Sequence, residues 1–384
     1  MDTNVKGAAG SQRPGSNEET FRDIPSGGPW ITDKEVQYVA DATANGWYKN
    51  WSGYIDRFQA AMCSYTGTQF SLATSSCTGA LHLAMAALEI KPGDEVIVPE
   101  TTWIATATCV CYMGATPVFV DVERDTWCMD PEGFRKAITS RTKAVIPVHM
   151  FGHPADMDAI NAIAAEHGIA VIEDAAPGIG SRYKGRPAGS LGLAGAFSFQ
   201  GAKPLVTGEG GLLCTSDENF YDRAYHYWDH GRAKDKVLFN SSIGFKYKMS
   251  NIQAALGLAQ VERAEEIIAK RRQIFFWYKE GLGDIEGISL NVERDGIFNN
   301  FYVPTIVLDR PFRQSPQQIM DEMDSHGVRN RPFFRCISKF PMFQPAETPV
   351  ADHLAANGIN LPCATKLTHD DVDFAIEVIR RALL

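Results

Sequence analysis

Residues 95–122, EVIVPETTWIATATCVCYMGATPVFVDV, decide the fold. EVIVP (95–99) and TPVFVDV (116–122) are short β-rich apolar runs, the length of a strand buried on both faces, and ATATCVCYM between them has a helical pattern. Strand, helix and strand in that order make a crossover, which lays the two strands parallel. The alternation continues with KAVIPVHM (143–150) and IAVIEDA (169–175), separated by DPEGFRKAI and DMDAINAIAAEHG. These runs predict a large, doubly wound α/β unit with a mostly parallel sheet.

Outward from this centre, TDKEVQYVADATANG opens at Thr32 with an N-cap, a Glu three residues on and a closing Gly, which predicts a short helix. A second helix is expected within 79–88. Residues 1–27 are rich in Gly, Ser, Pro and charge, carry no apolar period and are expected to form a flexible arm. From Ile252 one long helical pattern, IQAALGLAQVERAEEIIAKRRQIFFWYKEGL, leads to the strand-like ISLNV and FNNFYVPTIVL, a helix around PQQIMDEMDSHG and a final helix in HDDVDFAIEVIRRALL. The expected division is the arm at 1–27, a large unit over 28–265 and a smaller α+β C-terminal unit over 266–384.

A chain of 384 residues exceeds what one hydrophobic core usually supports, in keeping with two units. The net charge of -9 argues against nucleic acid and anionic membranes as partners, since both need a basic face. The eight cysteines have neither zinc-ligand spacing nor the density of a disulfide framework. Buried free thiols in a reducing compartment, and no metal site, are expected. No stretch has the eighteen or so apolar residues of a membrane span, and no leader pattern opens the chain, so the expected location is the cytoplasm.

Two positions in the sheet region invite chemistry, because ligands of such folds sit at the carboxyl ends of strands. Glu173 and Asp174 close the run AVIED, and Lys203 stands alone between FSFQ and the glycine-rich VTGEGG. An isolated acid there is more often a helix N-cap, and an isolated lysine is more often a solvated one. Together they match the needs of pyridoxal 5'-phosphate (PLP), a lysine for the Schiff base and a carboxylate that keeps the ring nitrogen protonated. SSCTGA at 75–80, before a helix, offers hydroxyls and backbone N–H groups to a phosphate, although capping alone explains Thr78.

The combination of GALHLAMAALEIKPGDEVIVP, ATPVFVDV, IPVHMFGHPADMD, VIEDAAPGIGSRYKGRPAGSLG, FSFQGAKPLVTGEGG, KMSNIQAALGLAQVE and GINLP resembles the DegT/DnrJ/StrS family of PLP-dependent sugar aminotransferases, over about residues 28–384. The resemblance implies the aspartate aminotransferase-like fold, type I of the PLP-dependent transferases. It also implies that Lys203 is the Schiff-base lysine and Asp174 the pyridinium partner, that Ser198, Cys77 and Thr78 bind phosphate, and that Trp103 lies over the cofactor ring. Asn251 matches a residue that reaches the phosphate of the neighbouring subunit, which implies a homodimer with shared active sites.

Some positions depart from the family pattern. Pro177 stands where Gln or Glu usually bonds the cofactor's phenolic oxygen, and it can donate nothing. Lys246 replaces a common Asn and adds a positive charge, with a surface lysine as the plain alternative. Arg335, Cys336 and Ser338 stand where His and Pro are common, in a segment that shapes the sugar pocket of relatives. Arg331 keeps its matching position and is expected to meet an anionic substrate; Arg232, in the run RAKDK, meets a diphosphate or is simply solvated.

The expected activity moves an amino group from L-glutamate to the keto group of a nucleotide-linked 4-keto-6-deoxyhexose, for surface polysaccharide or glycoside synthesis. Alternatives are an oxidised octulosonate, a keto-cyclitol with L-glutamine as donor, and a non-catalytic regulatory protein on the same fold. Sugar deoxygenation is disfavoured, because relatives that do it carry histidine where Lys203 stands.

Overall fold

The computed structural model describes residues 22–384, so residues 1–21 of the expected arm lie outside the described residues. Seven strands form the central sheet, in the spatial order Phe70–Thr74, Gly211–Thr215, Ala194–Ser198, Ala170–Asp174, Thr142–Val145, Glu95–Pro99 and Thr116–Val120. Only Gly211–Thr215 runs against the rest: it pairs antiparallel with both neighbours, and the remaining pairs are parallel. The strand expected over 143–150 is regular only over Thr142–Val145; Pro147, two residues on, has no N–H for a ladder, and the segment keeps its neighbours through the Ile146 N–H to the Ile97 carbonyl and a bridge from Val148 to Asp174.

Alternate residues of each strand serve opposite faces. Val96, Val98, Ile172, Ala194 and Ala196 pack with helices Cys77–Ala87, Ala105–Tyr112 and Glu218–Trp228. Ile97, Val145 and Val171 face helix Met157–His167, while Ala73, Phe197 and Leu212 face helices Gly53–Thr66 and Asn251–Val261. Covering on both faces is why the strands read as continuous apolar runs. At full burial, each Val or Ile contributes roughly 1.5–3 kcal/mol.

Helix Asp33–Asn45 begins as its sequence predicts, with the Thr32 N–H donating to Glu35 Oε2 at 2.7 Å. Glu35 also accepts from Gln260 (2.8 Å) and Arg263 (2.7 Å), so the cap fastens this helix to a later one. Arg263 marks a difference from expectation. The single long helix from Ile252 is two, Asn251–Val261 and Ala264–Leu282, with Arg263 non-helical between them and its guanidinium committed to Glu35 and the Trp30 carbonyl.

The C-terminal part builds a four-stranded sheet in the order Ile288–Leu290, Thr305–Leu308, Gly358–Asn360 and Arg331–Pro332. Its core joins Ile306, Leu308 and Ile359 to helices Ala264–Leu282, Pro316–Ser325 and His369–Leu383. Ile24 belongs to the same core, 1% exposed and bridged to Val328. The expected arm over 1–27 is therefore corrected at its end: from residue 22 the backbone is bonded to His326, Gly327, Arg329 and Cys363, because Ile24 has an apolar slot to fill.

Candidate functional site

Because Phe70–Thr74 runs in the same direction as the parallel strands, its carboxyl end lies beside theirs. One end of the sheet thus gathers Cys77 and Thr78 at a helix start, Trp103 beyond Glu95–Pro99, Asp174, Ser198 and the turn that holds Lys203.

Asp174 is 5% exposed. Thr106 Oγ1 donates to its Oδ2 at 2.7 Å and the Ala176 N–H to its Oδ1 at 3.1 Å. Burial pushes its pKa up, since the ionised form loses water; those two hydrogen bonds and the charge of Lys203 oppose the shift. The Cys77 thiol is pushed well above its ordinary value, chiefly by burial and further by Asp174, with Lys203 opposing. Asp174 and Lys203 thus lie close enough for their charges to bear on the Cys77 thiol.

The adjacent acid has a different task. Glu173 accepts from the N–H groups of Gly189 (2.7 Å), Leu191 (2.6 Å) and Gly192 (2.7 Å), and faces His149 Nε2 at 2.8 Å with both side chains fully buried. His149 Nδ1 accepts from the Ala155 N–H (3.2 Å), which leaves Nε2 to carry the proton donated to Glu173. Glu173 braces the loop at 189–192, and Asp174 alone is turned to the pocket.

The glycine tail after Lys203 has steric causes. A side chain on Gly211 would collide with the backbone of Ser76 and Cys77, and one on Gly210 would meet Met249 Cε at 2.7 Å. Gly208 has φ +84°, in the left-handed region. This tail lets the reversed strand lie against the start of helix Cys77–Ala87, where Ser76 Oγ caps the Gly79 N–H at 3.0 Å.

Around Lys203 stand residues that sequence reasoning missed. Its Nζ lies 4.8 Å from the centroid of the Tyr302 ring. Arg271, 1% exposed, donates to the carbonyls of Lys203 (3.2 Å), Tyr302 (3.2 Å) and Cys363 (3.3 Å). Asn300 Nδ2 donates to the carbonyls of Pro177 (2.7 Å) and Ile179 (2.8 Å), so buried Pro177 contributes its backbone to the site's frame. Thr106 lay in a helical pattern and Arg271 in a charged helical run, and neither offered a local signal.

Other expected residues stand further out. Trp103 is 64% exposed, just beyond the carboxyl end of strand Glu95–Pro99. Asn251 Oδ1 accepts from the Tyr54 N–H (2.8 Å), and its Nδ2 donates to the Gly46 carbonyl (3.2 Å). Lys246 is exposed, whereas its neighbour Lys248 is paired with Asp229. Arg331 is exposed on its short strand, with its charge felt at the Cys363 thiol. Arg232 lines a separate surface cleft of about 530 Å³ with Asp222, His226 and Lys234. Cys336 and Ser338 are buried: Cys336 bridges Thr101, and the Ser338 N–H donates to Glu100 Oε1 at 2.8 Å, two to three residues before Trp103. Arg335 is exposed.

A buried carboxylate lacking a full complement of donors, an amine facing only an aromatic ring, a helix start with hydroxyls and an uncovered indole fit a ligand of a certain kind. It has a protonated ring nitrogen, a group that an amine can attack and a phosphate. PLP has all three.

The profile of the DegT/DnrJ/EryC1/StrS aminotransferase family matches residues 29–380. GDP-perosamine synthase of Escherichia coli O157:H7 is 36% identical over 358 residues, 93% of this chain and 97% of that protein. The GDP-perosamine synthase of Caulobacter vibrioides is 36% identical over 361 residues, with the same coverage. Among solved structures, Spr1654 of Streptococcus pneumoniae, provisionally named a sugar aminotransferase, superposes in its PLP form with a TM-score of 0.89 at 28% identity, covering 94% of this chain and all of that one.

Proposed function

The chain belongs to the DegT/DnrJ/EryC1/StrS aminotransferase family and is a PLP-dependent sugar aminotransferase; from that premise we propose that Lys203 is the residue that bonds the cofactor covalently, with Asp174 as its ring-nitrogen partner. The observation that carries this reading is the placement of buried Asp174, held by Thr106 and the Ala176 N–H, at the carboxyl end of its strand, the same end of the sheet as the turn of Lys203 and the helix start at Cys77.

When bound, PLP supplies an electron sink and carries the amino group from donor to acceptor. Asp174, oriented by Thr106, keeps a proton on the ring nitrogen. Cys77 and Thr78 offer first-turn N–H groups, and Thr78 and Ser198 offer hydroxyls, to the phosphate. Trp103 covers the ring face. Lys203 Nζ, when not bonded to the cofactor, would accept the proton from the donor α-carbon and later deliver one to the sugar carbon that receives the amine.

We read residues 28–265 as the cofactor unit and 266–384 as the C-terminal unit. The working assembly is a homodimer. Asn251 Nδ2 donates to the carbonyls of Gly46 (3.2 Å) and Asn50 (3.5 Å), and in a dimer we let the longer of these bonds give way to the partner's phosphate; the segment Asn251 braces exposes Trp47, Tyr48 and Trp51, an apolar patch suited to a subunit contact. The Val237, Leu238, Phe239 and Ile243 side chains are exposed as well. Lys246, Arg232 and Arg331 are the cations available to a diphosphate or carboxylate. Among the described residues no helix is long and apolar enough to cross a membrane, and we place the enzyme in the cytoplasm.

For the substrates we take L-glutamate and GDP-4-keto-6-deoxymannose, in line with the relatives named GDP-perosamine synthase. Mass spectrometry of the PLP-loaded protein with both compounds tests this. The expected product has an amine in place of the ketone. If pyridoxamine phosphate forms from glutamate while the sugar is unchanged, the acceptor assignment fails and the donor half stands.

A further inference from the structure

We propose that Tyr302 is a positioning residue that receives the Lys203 ammonium whenever the lysine is not bonded to the cofactor, and that Arg271 sets the spacing between the two. The inference rests on the reading of Lys203 as the cofactor-bonding residue.

The arrangement begins with Arg271, a buried cation whose hydrogen bonds go to three backbone carbonyls and the Cys363 sulfur, and among the described residues to no carboxylate. One terminal guanidinium nitrogen serves Tyr302 and Cys363, and the other serves Lys203, so a planar fork from helix Ala264–Leu282 fixes three chain segments that are distant in sequence. Tyr302 is held from its other side as well, since its N–H donates to Asn300 Oδ1 (2.7 Å) and to the Phe151 carbonyl (3.1 Å). Asn300 in turn holds the loop that follows Asp174, through the carbonyls of Pro177 and Ile179. Lysine, aromatic ring and the base of the carboxylate loop therefore form one braced frame.

Within that frame the Lys203 amine faces the Tyr302 ring at 4.8 Å. A ring attracts an ammonium by its quadrupole without taking its proton and without the strong directional hold of a carboxylate. A half-buried ring beside the pocket keeps the lysine in reach and ready to leave. A carboxylate in that place would bind the ammonium as an ion pair and compete with its return to the cofactor.

The test uses the full-length chain stripped of cofactor. PLP is added, and the band of protein-attached cofactor is followed with time. Borohydride fixation and peptide mass spectrometry then identify the lysine. Tyr302→Leu and Tyr302→Met are expected to attach PLP roughly 3- to 10-fold more slowly, while Tyr302→Phe restores a rate within about twofold of wild type. Affinity for 4'-deoxypyridoxine phosphate, which has no aldehyde, should be unchanged in all three. Ring-free variants that attach PLP at the wild-type rate overturn the proposal, as does a Phe variant as slow as Leu. A parallel loss of analogue affinity also overturns it, by showing a general structural role. If fixation marks a lysine other than Lys203 in the wild type, the underlying reading fails, and this inference with it.

Discussion

Gly211 abuts the amide nitrogen of Cys77 so closely that no side-chain carbon fits between them. The reversed strand and the helix start proposed to hold phosphate are thus in backbone contact. Gly211→Ala is expected to push the helix start outward, costing about 1–3 kcal/mol of stability and roughly tenfold or more in PLP affinity. A thermal melt and a PLP titration measure the two effects; wild-type values in both would contradict the close approach.

Asp174 offers a test with a defined sign. Burial raises its folded-state pKa above the ordinary 3.8. Without cofactor, its ionisation therefore disfavours the fold, absent well below pH 3.8 and complete once the pH exceeds the raised value. Asp174→Asn should leave cofactor-free protein at least as stable as wild type at pH 7, with the difference vanishing in acid. Turnover should fall by roughly 10²-fold or more. A variant that is less stable without cofactor and equally active would sink the assignment.

Lys203→Ala should fold normally and lose turnover by roughly 10³-fold or more, since both covalent attachment and proton transfer depend on one amine. Circular dichroism and steady-state assays decide the matter. Near-wild-type turnover would end the mechanism proposed above.

His153 predicts the acid limb of stability. Burial lowers its pKa from 6.5 to about 4, with Nδ1 bonded to the Pro154 carbonyl at 2.7 Å. Neutral histidine favours the fold above pH 6.5, and this contribution is lost as pH falls toward the folded value, about 2 kcal/mol of it by pH 5. Urea titrations between pH 7 and pH 5 should show that decline, and His153→Gln should flatten it. An equal slope in the variant would assign the decline to other groups.

The parallel sheet was legible because strands buried on both faces must be apolar throughout, and strand ends are where such sheets place ligands. Asp174 and Lys203 could be singled out on that ground. Arg271 could not, because its partners lie at Lys203, Tyr302 and Cys363, and a charged residue in a helical run reads locally as solvated. The break at Arg263 was hidden for the same reason, its cause being Glu35 far upstream. Ile24 was lost in a stretch whose composition is that of an arm, because the core it enters and the backbone partners of its segment, from His326 to Arg329 and at Cys363, lie far downstream.

That strap has a consequence for biosynthesis. Ile24 leaves the ribosome long before Val328 and Arg329, with which it pairs. At about 5–20 residues per second, the delay is roughly 15–60 seconds. Through that interval the segment has no docking strand, while the sheet that ends at Thr215 can already assemble. Closure of the strap is a late event of maturation, and a nascent chain stalled before residue 328 would leave it open to proteases.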